Sequence, residues 1–255
     1  ALSSPFGSGS NLGQPLGVKS VGFVEAESED GCRGWGETYA GVYVPELIEP
    51  AVRAFAPLLE GRTLEDIPGL TQGALRIPFV GRDGLLRSVA GAVDIALWDL
   101  ESRRRGIPLA KLWGQEPRSS VPVYASGGSA ALDPAAVAGE ASAALAAGHL
   151  RFKMRGGFQT WEADLRRVAA ARGALGDAEL MVDAIMGTVV PAWDVSTALA
   201  RIAELEPYSP RWVEEPVRPD DFAGLMAVKA GSRLPIAAGE AYTALSDFER
   251  VLADG

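Results

Sequence analysis

The stretch "LRFKMRGG", residues 150–157, decides the fold, because charged and apolar side chains alternate along it. In an extended chain Arg151, Lys153 and Arg155 share one face while Phe152 and Met154 share the other, since β side chains have a period of two. On a half-exposed strand the three cations would stand in water. On a strand buried on both faces they would need anionic partners. The remainder of the chain selects the second case.

From about residue 115 onward, short apolar strands alternate with helical patterns. The strands are read at "VPVYAS" (121–126), "LRFKMR" (150–155), "LMVDA" (180–184), "RWVEEP" (211–216) and "PIAAGE" (235–240). Between and after them lie "PAAVAGEASAALAAG", "WEADLRRVAAARGAL", "VSTALARIAEL", "FAGLMAVKAGS" and "LSDFERVLADG". Lys153 to Asp183 is 30 residues, Asp183 to Glu214 is 31, and Glu214 to Glu240 is 26. Units of this length imply a parallel sheet with helical crossovers.

An open doubly wound sheet and a (β/α)8 barrel both have that rhythm. They differ in where polar groups fall. Each of these strands begins apolar and ends in a charged or hydroxyl group: Ser126, Lys153 with Arg155, Asp183, Glu214 with Glu215, and Glu240. Delivery from the C-terminal ends of many successive strands is the barrel arrangement, whereas an open sheet gathers its ligand at one switch point. The expected fold is therefore α/β with a TIM-type barrel, of which this chain carries about five βα units. A closed barrel needs eight, so a further ~80–100 residues are expected beyond Gly255.

The first part of the chain differs in character. "VKSVGFVEAESEDGCRGWGETYA" reads as two strands around a turn at Glu29-Asp30-Gly31. The helical patterns "PELIEPAVRAFAPLLEG" and "LLRSVAGAVDIALWDLESRRRG" follow, the latter with Val89, Val93, Ala96, Leu97 and Leu100 on one stripe. It stops at Gly106 with Pro108 beyond. Strands followed by helices predict an α+β domain over residues 1–114, with the first part of the barrel over 115–255. The segment "SSPFGSGSNLGQPLG" is turn-rich and is expected to be a mobile loop.

In a barrel the outward strand face packs on helices, which suits Phe152 and Met154. Lys153 and Arg155 then point inward, towards Asp183, Glu214 and Glu240 on the next three strands. Three converging carboxylates repel one another unless neutralised. A hard divalent cation with oxygen ligands neutralises them, and Mg²⁺ keeps open positions for water or substrate oxygens. The expected site is a metal centre of Asp183, Glu214 and Glu240 flanked by Lys153 and Arg155. Arg151 is assigned to structure. Glu215 is placed on the opposite face by strand alternation, in support of the ligands.

Composition narrows the partners. The formal charge of −9 at pH 7 argues against a nucleic-acid surface. No stretch reaches the ~18 apolar residues of a membrane span, so no membrane partner is expected. The single Cys32 excludes an internal disulfide and fits the cytoplasm. The single His149 precedes the second barrel strand and lies at the wrong end for catalysis.

These motifs together resemble the enolase superfamily, specifically its mandelate racemase/muconate lactonizing enzyme branch. The helix "AGAVDIALWDLESRRRGIPLAKLWG" looks like the pattern before that branch's barrel, and "FKMR" sits where the family places a Lys-x-Lys strand. "VDA", "WVEEP" and "GE" match the strand ends that carry its three Mg²⁺ ligands, here Asp183, Glu214 and Glu240. The resemblance implies an N-terminal capping domain and Mg²⁺-assisted removal of the proton α to a carboxylate through an enediolate. Lys153 would contact the substrate carboxylate. Arg155 stands where a second lysine often serves as base, and a guanidinium suits a fixed contact better than proton abstraction. Ile185 replaces an asparagine that commonly follows the metal aspartate. The branch's alternative base, a His–Asp pair on later strands, would lie beyond Gly255.

By elimination the expected reaction is dehydration of an acid sugar to a 2-keto-3-deoxy acid. Racemisation or epimerisation of a hydroxy acid or amino-acid derivative is the alternative within chemistry, and a metal-binding barrel without activity the alternative outside it. The partner is then a small-molecule carboxylate, and a homo-oligomer is expected. Specificity is assigned to loops 4–13 and 37–43, with Tyr39 and Tyr43 as pocket walls.

Overall fold

Among the described residues a hairpin with a long helix resting on it and several shorter helices is followed by five repeats of strand and helix. The structure, a computed structural model, describes residues 21–76 and 84–254. The turn-rich segment 3–17, and with it the loop 4–13 assigned to specificity, lies outside the described residues. Two compact units meet in sequence between Val121 and Pro122.

In the first unit β1 (Gly22–Glu27) and β2 (Arg33–Thr38) pair antiparallel, with Gly22 opposite Thr38 and Glu27 opposite Arg33. The turn closes where expected: the Gly31 N–H donates to the Ser28 carbonyl at 2.8 Å, with Gly31 at φ +80°. That left-handed backbone is free of penalty only without a Cβ. Five helices follow: α1 (Ala40–Tyr43), α2 (Ile48–Leu59), α3 (Ile67–Leu75), α4 (Gly84–Arg105) and α5 (Leu109–Leu112).

All five residues of the α4 stripe are buried, none more than 7% exposed. They reach the sheet because β2 carries glycine where the helix lands. A Cβ on Gly36 would lie 1.9 Å from the Ala92 carbonyl oxygen, and one on Gly34 would lie 2.2 Å from that of Ala96. The alternation of "RGWGE" is thus glycine inward and side chains outward, a signal of backbone-to-backbone packing. Helix α3 carries Pro68, Gly69 and Gly73, and these hid it from periodicity. Its first turn is instead held by the Asp66 carboxylate, which accepts from the Gly69 N–H at 2.9 Å.

The second unit holds a five-stranded parallel sheet in sequential order: β3 (Ala125–Gly127), β4 (Arg151–Arg155), β5 (Glu179–Asp183), β6 (Val213–Glu214) and β7 (Ile236–Ala237). Its helices are α6 (Pro134–Ala146), α7 (Trp161–Leu175), α8 (Val195–Leu205), α9 (Phe222–Gly231) and α10 (Leu245–Asp254). Four of them start on a side-chain cap. Asp133, Thr160, Asp194 and Asp221 accept from the backbone N–H groups of Ala136, Ala163, Thr197 and Gly224, which satisfies donors the first turn leaves free.

The outward residues Phe152, Met154, Leu180, Val182 and Val213 form one core with Val137, Ala141, Val168, Ala198, Ile202 and Val228 of the helices. Helix-facing strand residues are therefore apolar, and the alternate set, including Lys153, Met181 and Asp183, faces the other way. In register, Arg155 stands beside Asp183, Asp183 beside Glu214, and Glu214 beside Ala237. Arg155, Asp183 and Glu214 lie along one row of the sheet, with Lys153 two residues back on the same face.

Three strands are shorter than their apolar runs suggest. β3 begins at Ala125, leaving Val123 59% exposed, and β6 and β7 span two residues each. Glu240 is consequently not on a strand: β7 stops at Ala237, and the chain turns through Gly239 at φ +132° before reaching it. On the far side Leu245, Phe248 and Leu252 of α10 are exposed. No helix among the described residues is long and apolar enough to cross a membrane.

Candidate functional site

The β4–β5–β6 row delivers its charges to one place. Carboxylate oxygens of Asp183, Glu214 and Glu240 lie within 4.8 Å of one another. The Lys153 ammonium, on an inward-facing side chain 7% exposed, donates to Glu214 Oε1 at 2.7 Å and to Asp183 Oδ2 at 3.2 Å. Two further donors hold the acids in place. The Ile185 backbone N–H donates to Asp183 Oδ1 at 3.0 Å, and the Trp212 indole N–H to Glu214 Oε2 at 3.4 Å. Tyr124 packs edge-on against Trp212 and lies 5.9 Å from the Lys153 ammonium across its ring face.

The electrostatics of the ion pair are lopsided. Burial works against the Lys153 charge, but the bond to Glu214 and the charge of Asp183 outweigh it and lift its pKa above the ordinary lysine range. Asp183 goes the other way. Burial, together with the charges of Glu214 and Glu240, pushes it up to about 6 despite the Lys153 charge beside it. One ammonium cannot neutralise three carboxylates. A divalent cation fits both the geometry and the deficit of positive charge, with oxygen donors of the kind hard cations take.

Backbone strain is concentrated here. Ile185 sits at φ +48° and Glu215 at φ +44°, a region where a β-branched residue is an outlier and which clusters at functional sites. Glu215 follows directly on β6, and its backbone keeps the sheet's bonding: its N–H donates to the Ala237 carbonyl at 2.9 Å and its carbonyl accepts from the Met186 N–H at 3.2 Å. It is buried at 2% exposure. Burial, then the charges of Glu240, Asp183 and Glu214, push its carboxyl up to about 7. The pair of adjacent acids in "VEEP" was the only sequence signal for this residue.

Arg155 occupies the row beside Asp183, half-buried, and its backbone N–H donates to the Gly128 carbonyl at 3.1 Å. Arg151 is taken up at the opposite end of β4 by Glu179, at 2.7 Å. The loops beyond β3 and β4 are pinned from behind. Arg167, fully buried, donates to the carbonyls of Gly128 and Ser129 and pairs with Asp164, which in turn accepts from the Gly157 N–H. Tyr39 and Tyr43, in the first unit, have their ring centroids 5.6 Å apart.

The pH response of the metal-free protein follows from the raised carboxyls. Groups whose folded pKa lies above the unfolded value bind protons preferentially in the folded state. Asp183 at about 6 and Glu215 at about 7 therefore favour folding at low pH, and their contribution is lost as pH rises through 6 to 7. Between pH 8 and pH 5 the metal-free protein should gain about 4 kcal/mol at most, read by denaturant unfolding in a chelating buffer. A flat profile would mean that both acids are ionised without penalty. Divalent-cation affinity should run oppositely and fall as the solution is acidified.

A parallel α/β barrel sheet that collects three carboxylates and a lysine at one end defines a class of metal-assisted barrel proteins. Residues 136–255 match the enolase C-terminal domain-like family, and residues 15–114 match the mandelate racemase/muconate lactonizing enzyme N-terminal domain. The chain belongs to the mandelate racemase/muconate lactonizing enzyme branch of the enolase superfamily.

Among its relatives, a 3,6-anhydro-alpha-L-galactonate cycloisomerase from Streptomyces coelicolor is 37% identical over 91% of this chain and 63% of its own length. An L-talarate/galactarate dehydratase from Salmonella typhimurium is 32% identical over 94% of this chain and 59% of its own. The chain thus spans about three fifths of the length of these curated relatives. A crystal structure of a racemase from Streptomyces coelicolor with bound magnesium superposes with a TM-score of 0.83, at 36% identity, covering 91% of this chain and 69% of that one.

Proposed function

We propose that this protein binds Mg²⁺ at Asp183, Glu214 and Glu240 and removes the proton α to the carboxylate of an acid sugar, with loss of the β-hydroxyl as water. The observation that carries this reading is the convergence of the three carboxylates around an ammonium bonded to two of them. Bound Mg²⁺ supplies Lewis-acid stabilisation of the charge that builds on the substrate carboxylate. Lys153, held protonated, is a preorganised positive charge at the same place and not a base. Arg155 offers a planar two-pronged donor for a carboxylate or hydroxyl of the substrate. Trp212 and the Ile185 N–H keep the acids from rotating as charge moves.

Dehydration balances simply. The α-proton passes to a general base, the C–H electron pair forms the C=C bond, the β-C–O bond breaks, and the departing hydroxyl takes up a proton and leaves as water. The enol then tautomerises to a 2-keto-3-deoxy acid. A second reading, isomerisation of a sugar-acid derivative, is favoured by the cycloisomerase among the relatives and by the structure described as a racemase.

The test is a screen of hydroxylated mono- and diacid sugars with the full-length protein and Mg²⁺ in D₂O, following keto-acid formation and α-deuterium by NMR. Keto acid from at least one substrate is the expected result. Stereoinversion or ring rearrangement without keto acid would transfer the case to isomerisation. Inertness towards every α-hydroxy acid would leave a metal-binding barrel without this chemistry.

A further inference from the structure

Glu215 combines features that make little sense for a carboxylate of purely structural use. It is 2% exposed and sits in left-handed backbone that side chains rarely adopt. The Gly187 N–H is the donor that favours its charge. Its other oxygen, Oε1, is buried without a hydrogen-bond partner, and no cation among the described residues forms an ion pair with it. The charges it faces are those of Glu240, Asp183 and Glu214, all of its own sign. A buried acceptor without a donor is rare enough to require an explanation.

The surroundings say what is missing. The Tyr242 hydroxyl is likewise buried without a partner and feels the Glu215 charge. These two buried atoms keep unused hydrogen-bonding capacity of the kind a water meets, since a buried water takes two to four polar partners. Glu215 itself is outside the group of oxygens gathered within 4.8 Å, so direct ligation is not its role. Mg²⁺ typically retains several of its waters when carboxylates bind it.

Resting on the reading of Asp183, Glu214 and Glu240 as a divalent-cation site, we infer that Glu215 is a positioning residue of that site, its Oε1 accepting a hydrogen bond from a water carried by the cation. The left-handed backbone at Glu215, φ +44°, directly follows the ligand Glu214 at the end of β6. Loss of such an outer partner typically weakens metal binding 10–100-fold.

The experiment compares the full-length wild type with Glu215→Gln, Glu215→Leu and Asp183→Asn, using Mg²⁺ calorimetry and water-proton relaxation of bound Mn²⁺. Glu215→Leu should weaken both metals ~10–100-fold and change the relaxation enhancement per bound Mn²⁺. Glu215→Gln keeps an acceptor oxygen at that position and should restore the enhancement and most of the affinity, which a role in charge alone would not allow. Wild-type affinity and relaxation in Glu215→Leu, with Asp183→Asn unable to bind, would overturn the inference while leaving the metal site standing. A loss in Glu215→Leu as complete as that in Asp183→Asn would also overturn it, by making Glu215 a direct ligand. Absence of Mg²⁺ binding by the wild type would instead sink the cation reading itself, and the inference with it.

Discussion

Asp183→Asn should remove divalent-cation binding from this protein, with an affinity loss well beyond the ~10–100-fold that an outer partner costs. Asp183 stands in the middle of the row, between Arg155 and Glu214 in register, and is 1% exposed. The amide keeps the shape of the side chain and still has an oxygen for the Ile185 N–H, now at 3.0 Å from Oδ1. The amide also gives up the acceptor that Lys153 reaches at Oδ2, 3.2 Å away, so unfolding must be compared alongside affinity. Glu214→Gln should behave alike. Calorimetric titration with Mg²⁺ on proteins of matched unfolding behaviour reads the result, and undiminished affinity in both variants would show that the metal, if bound, is held elsewhere.

Removing Lys153 should have the second large effect, and an unusual one. Its ammonium bonds two of three crowded carboxylates, and deleting one member of a buried ion pair leaves uncompensated charge at a cost of about 3–5 kcal/mol. Lys153→Met keeps the aliphatic stem, so the loss is electrostatic. A divalent cation can replace the missing charge. Mg²⁺ should therefore stabilise Lys153→Met against denaturant more than it stabilises the wild type, while turnover of any acid-sugar substrate stays depressed ~10²–10³-fold, as when one preorganised donor is removed from an active site. If Mg²⁺ stabilises the two proteins equally, the ammonium and the cation do not share the same carboxylates.

Much of the architecture could be read locally. α7 and α8 run over the same residues as their predicted patterns, 161–175 and 195–205, because both combine an apolar stripe with a capping Thr or Asp directly before it. α4 behaves likewise, its five stripe residues buried as a set. Strand limits were less legible. Apolar runs report burial, and residues such as Val121 and Ile236 remain apolar whether or not a neighbouring strand bonds to them. α3 escaped because proline and glycine mask a helix whose first turn is held by Asp66.

The sequence by itself determined which charges exist and how often they recur: a cationic strand, then acids after about thirty residues, again and again, with apolar residues on the alternate positions. That pattern suffices for a parallel barrel sheet and for naming Lys153, Asp183, Glu214 and Glu240, since one repeat delivers one side chain to one end. Only the tertiary structure decided how far apart they are and what state they are in. The 4.8 Å convergence of three acids, the Lys153 ammonium bonded to two of them, and the carboxyl of Asp183 pushed up to about 6 arise from sheet register and burial. Glu215 makes the point most sharply: its burial at 2% exposure, its φ of +44° and its carboxyl pushed up to about 7 by burial and the neighbouring acids are not written in the pair of acids at 214–215. Distance and local dielectric are properties of residues far apart in sequence, and no local pattern contains them.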